Sequence, residues 1–163
     1  MSWTDFYRRR DALDAVLREA AGDPSAPLAP DRELFADEGE LLLALHYRWM
    51  RALTGRLGVA LESETDDRVE IVTRTWRALA AEQPVLRAVL DAHLAAAAAA
   101  GSVEATDAVE REHRVVALTA GLAELSEPAD EIARVGAAFT RLIRSAPPTA
   151  VTPGRSRRFA KSA

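Results

Sequence analysis

Pro24, Pro27 and Pro30 all fall within residues 22–31, and that spacing rules out a helix through the stretch. Each proline lacks the N–H that a helix interior needs. Its ring also biases the residue before it away from helical torsions. The stretch reads as an extended connector between a short leading segment and a long body. On both sides apolar residues recur at helical spacing, and no alternating β-branched run bounded by turn residues occurs. The expected fold is all-α, a bundle of five to six helices.

The leading segment predicts a first helix over residues 3–21. Ser2 and Asp5 have capping-box spacing, and Trp3, Phe6, Leu13, Val16, Leu17 and Ala20 form its apolar stripe. Beyond a connector at 22–36, Asp37 suits the N-cap of a second helix that reaches Leu61. Leucines on more than one side of this helix imply a central position. Gly55 and Gly58 weaken its far half by about 1 kcal/mol each relative to alanine, and mark close packing or an early end.

A polar stretch follows, whose Glu62, Glu64, Asp66 and Asp67 read as caps and solvation. The third helix has the stripe Val69, Val72, Trp76 and Leu79. Pro84 fits the first position of a fourth, which Gly101 and Ser102 end. A fifth is expected over 103–125 with two stripes, one through Val109, His113, Val116 and Ala120, the other through Val115, Leu118, Leu122 and Leu125. Ser126 and Pro128 open a sixth, with Ile132, Val135, Phe139, Leu142 and Ile143 inward, and Pro147-Pro148 ends it. The single helical domain is thus 1–146, with its helical body over 37–146, and 147–163 is expected to be a basic flexible tail.

At 163 residues, 48% hydrophobic and 28% charged, the chain suits one globular domain. The absence of cysteine excludes disulfides, thiolate metal sites and a cysteine nucleophile. Residues 3–10 lack the apolar core of a signal peptide, and the longest apolar run, 94–100, is too short to cross a bilayer. A cytoplasmic protein with no membrane partner is the expectation. Twenty of the 21 basic residues are arginine, which codon usage in a high-GC bacterium explains better than phosphate recognition. The tail carries Arg155, Arg157, Arg158 and Lys161 and no acid. Subtracting those four charges from the net −4 leaves about −8 for the rest. An acidic body does not suit nucleic acid, so any such contact is expected to be weak and to run through those four tail residues.

Three histidines are present, His46, His93 and His113. Glu110 and His113 have the Glu-x-x-His spacing that puts carboxylate and imidazole on one helix face, as four-helix di-metal sites require. Only one such motif occurs, where a full site needs two and further glutamates. Glu110 and His113 are the candidate metal ligands, and His93 could approach them from the fourth helix. Glu112 faces elsewhere. Histidines on apolar stripes are more often hydrogen-bonded core residues. Trp49 and Trp76 pack a core by default, and with His93 they are the candidate lining of an apolar ligand pocket between helices. No phosphate loop and no nucleophile elbow occurs, and no cofactor is implied.

Residues 11–20, DALDAVLREA, resemble the first helix of tetracycline-repressor-type regulators. Residues 33–45, ELFADEGELLLAL, resemble the phenylalanine-bearing junction and the start of that family's fourth helix. Between them the family has a helix-turn-helix, where this chain has three prolines. The resemblance implies a helical ligand- or partner-binding body that lacks direct DNA recognition, and no DNA-contacting residue carries over.

The resulting expectation is a non-enzymatic helical binding or regulatory protein, acting through a partner protein or a small apolar ligand. It is expected to be a homodimer, and Ala117, Gly121, Ala133, Gly136 and Ala137 let helices approach closely, within a protomer or across the dimer. The alternatives are a metal-dependent four-helix enzyme using Glu110 and His113, and a divergent transcriptional regulator.

Overall fold

The structure, a computed structural model, describes residues 2–63, 65 and 67–145; the basic tail residues Arg155, Arg157, Arg158 and Lys161 lie outside it. Among the described residues there are six helices and no strand. They are α1 (Trp3–Ala20), α2 (Glu38–Ser63), α3 (Arg68–Glu82), α4 (residues 84–99), α5 (Val103–Thr119) and α6 (Ala129–Ser145).

The ends of the helices follow local chemistry. The Ser2 hydroxyl accepts from the Asp5 N–H at 3.1 Å, and the Asp5 carboxylate accepts from the Ser2 N–H at 3.2 Å, closing the expected capping box. Asp37 accepts from the Glu40 N–H at 2.8 Å, and Asp67 caps α3 through the Val69 N–H. No helix interrupts residues 21–37; Phe35 alone from this connector is buried, beneath the Arg9 guanidinium.

The core is one continuous apolar cluster centred on α2, whose Leu41, Leu45, Trp49 and Leu53 are fully enclosed. The central position expected for this helix holds. Pro84 opens α4, which runs as Pro84–Val89, a π turn over Leu90–Leu94, and Ala95–Ala99. Gly101, at φ +95, ends it in a Schellman closure: the Ser102 N–H donates to the Ala97 carbonyl and the Gly101 N–H to Ala98.

α5 departs from the expectation. It stops at Thr119, not at 125, because Gly121 at φ +70 supports the same closure, with the Leu122 N–H on the Ala117 carbonyl. Leu122 and Leu125 therefore leave the helix and are 42% and 86% exposed. The face turned to the core is Ala105, Ala108, Glu112, Val116 and Ala117, while Val109 and His113 are only half-buried. Leu142, expected inward on α6, is exposed, as are Trp3 and Phe6 on α1.

The glycines also sort differently. A Cβ on Gly136 would sit 1.9 Å from the His113 carbonyl oxygen, so α5 and α6 meet backbone to backbone. Ala117, Ala133 and Gly136 are buried within the protomer. Within the protomer Gly55 and Gly58 mark neither close packing nor an early end: a Cβ on either would meet nothing, and α2 continues to Ser63.

Candidate functional site

Four helices converge on one buried carboxylate. Glu112 comes from the inward stripe of α5, one turn beyond Ala108, and is 5% exposed. Its Oε1 accepts from Trp49 Nε1 of α2 at 3.1 Å, from Trp76 Nε1 of α3 at 3.2 Å, and from the Arg87 guanidinium of α4 at 2.9 Å. Its Oε2 accepts from Arg87 at 3.2 Å and faces His46 Nε2 of α2 at 3.6 Å, beyond hydrogen-bond reach. His46 Nε2 is one of two buried side-chain polar atoms left without a hydrogen bond among the described residues, the other being Thr140 Oγ1 of α6.

Around this carboxylate the charges form a chain. Arg87 lies 4.7 Å over the Trp49 ring and donates through Nε to Asp91 at 3.0 Å. Arg144 of α6 donates to the same Asp91 oxygen at 2.8 Å and covers the Trp76 ring. Trp49 and Trp76 meet edge to face with centroids 5.7 Å apart. Burial alone raises the Glu112 pKa. The His46 ring, the Arg87 charge and the Trp76 N–H outweigh it and bring the value down to about 2. At neutral pH the group is a carboxylate with both oxygens occupied by donors, and so a poor proton acceptor. What it does is brace α2, α3, α4 and α5 at one point, with Asp91 extending the brace to α6.

The sequence-derived candidates separate in space. Trp49 and Trp76 come together, on Glu112 and each other. His93, in the π turn of α4, donates through Nε2 to the Pro24 carbonyl at 3.1 Å, and its Nδ1 lies 3.3 Å from Glu38. The hydrogen bond ties the proline-rich connector to α4. Glu110 pairs with Arg114 at 3.3 Å on the outer side of α5. His113 is half-buried, and burial holds its pKa below the ordinary histidine value despite the neighbouring Glu112. Among the described residues no group of three or more His, Asp or Glu side chains is placed to hold a metal ion, and no helix is long and apolar enough to cross a membrane.

Sequence reasoning missed Glu112, Arg87 and His46 as a unit. One signal was available: Glu112 lies four residues from Ala108 and from Val116, on a stripe of small residues that only an inward face explains.

Clefts flank α2 on its outer side. Between α1 and α2 a cleft of about 790 Å³ is walled by Phe6, Leu13, Leu43, Ala44, Tyr47 and Ala52 and edged by arginines. Of these arginines, Arg9 pairs with Glu40, Arg10 with Asp11 and Arg48 with Asp14, while Arg51 has no ion pair among the described residues. A second cleft, of about 640 Å³, lies between α2 and α5 and shares Leu43, Tyr47 and Arg51 with the first. Trp49, Trp76, His93, Glu110 and His113 line neither. Compared with family models, curated proteins and solved structures, the chain has no match.

Proposed function

We propose that this is a non-enzymatic helical binding or regulatory protein, acting through a small apolar ligand or an apolar segment of a partner protein seated between α1 and α2. The observation that carries the reading is the open apolar cleft of about 790 Å³ between those helices. Its size falls within the range of small-molecule sites. Phe6 and Tyr47 stay 46% and 67% exposed at its mouth, where an occupant would cover them. Trp3 and Tyr7 stack on the same arm of α1. Arg51 supplies an unneutralised cation at the edge, which suits an occupant with an anionic group.

The test uses 1-anilinonaphthalene-8-sulfonate, an apolar dye with one anionic group, titrated into the folded protein at neutral pH. Saturable binding with fluorescence enhancement is expected, weakened by Phe6→Ala and by Leu43→Glu. Phe6 is half out of the fold already, so its truncation leaves the bundle intact. No saturable binding, or binding that both variants leave unchanged, overturns the reading.

A further inference from the structure

The side of α2 turned away from the core carries Tyr47, Arg51, Gly55, Gly58 and Glu62, all exposed. At 3.6 residues per turn they fall in one narrow stripe. Arg51 and Glu62 stand about three turns apart on it, roughly 16 Å. Neither makes an ion pair or a side-chain hydrogen bond among the described residues. Glu62 is moreover an acid in the last turn of a helix, where the negative end of the helix dipole disfavours it and no basic residue compensates.

Gly55 and Gly58 lie between the two charges. No neighbour within the protomer requires a glycine at either position, yet each weakens the helix by about 1 kcal/mol relative to alanine. The four positions are also symmetric, since the midpoint of 51 and 62 is the midpoint of 55 and 58. A stripe that is positive at one end and negative at the other is complementary to itself when reversed.

We propose that α2 pairs antiparallel with α2 of a second copy of this chain, about a two-fold axis at that midpoint. Arg51 then meets Glu62 of the partner subunit, and Glu62 meets the partner's Arg51. Gly55 crosses Gly58 of the partner subunit, and the absent side chains let the two helix backbones close together. The protein already uses this device inside the protomer, where Gly136 admits the backbone of α5. Tyr47 and Val59, each 67% exposed, widen the contact at its edges. Tyr47 and Arg51 of this stripe also edge the α1–α2 cleft, whereas Gly55, Gly58 and Glu62 lie outside it, so Gly55→Leu and Glu62→Arg test the pairing without altering that cleft.

Sedimentation equilibrium of the full chain over a dilution series, up to millimolar concentration, measures the association. A dimer is expected. Arg51→Glu and Glu62→Arg each place two like-charged contacts in the interface and should weaken it by about tenfold or more. The double variant Arg51→Glu/Glu62→Arg should restore it, because the swapped charges are again complementary. Gly55→Leu should also dissociate the dimer, with the helical circular dichroism unchanged, because the protomer leaves that position open. A strict monomer at all concentrations overturns the proposal. So does a dimer indifferent to the single reversals, or a double variant that stays dissociated.

Discussion

The two sides of α2 treat polar groups in opposite ways. Inward, His46 and Trp49 face a carboxylate that also holds Trp76 and Arg87, and nearly every donor there has an acceptor. Outward, Tyr47, Arg51 and Glu62 stand in solvent with no side-chain partner among the described residues. The inner arrangement is expensive to break, because a buried charge cannot be left alone. The outer one costs the protomer almost nothing to change, which is what a surface reserved for another molecule requires. One helix thus separates polar groups that hold the fold from polar groups that the fold does not need.

The contrast breaks most visibly at Glu112. Glu112→Ala strands the buried Arg87 and should cost about 3–5 kcal/mol in urea unfolding, whereas Arg51→Ala should stay within about 0.5 kcal/mol. Equal losses would erase the distinction between the two sides.

Acid should reach the inner side through Glu112. A carboxyl whose folded pKa is depressed contributes stability above its unfolded value and loses it as the pH falls toward the folded value. For Glu112 that window runs from its ordinary 4.5 down to about 2. The loss across it is of the order of 3 kcal/mol. Thermal melts across this range should show it in the native protein, and Glu112→Gln should lack that component.

Two glycine substitutions sharpen the comparison further. Gly136→Ala drives a methyl into the His113 carbonyl and should destabilise by roughly 1–3 kcal/mol. Gly55→Ala meets open space and should stabilise the protomer by up to about 1 kcal/mol, measured at concentrations low enough to keep it monomeric. If both variants destabilise alike, the outer face of α2 is not open.

Much of the fold was legible in the residues. Ser2, Asp37 and Asp67 cap where their side chains imply, and Pro84 and Gly101 bound α4 as their backbone limits require. The extent of α5 was misread because Leu122 and Leu125 continue an apolar periodicity that Gly121 interrupts, and spacing outweighed the single glycine. The buried polar cluster was hidden for a different reason. Its members come from α2, α3, α4 and α5, and no local pattern links Arg87 to Glu112. Trp49 and Trp76 were legible as buried aromatics, whereas their shared acceptor was not. Glu112 shares its stripe with the small residues Ala105 and Ala108, so the bulkier stripe through Val109, His113 and Val116 outweighed it.

The meeting of α5 and α6 at Gly136 has a consequence for the order in which the chain folds. Among the described residues these two helices share the most extensive contact and are joined by a short loop, so little chain must be ordered before they touch. α1 must instead wait for the connector and α2, with which it pairs through Arg8–Glu33, Arg9–Glu40 and Asp14–Arg48. In native-state hydrogen exchange the amides of α1 should therefore open first, and those of α5 and α6 should be among the last to exchange.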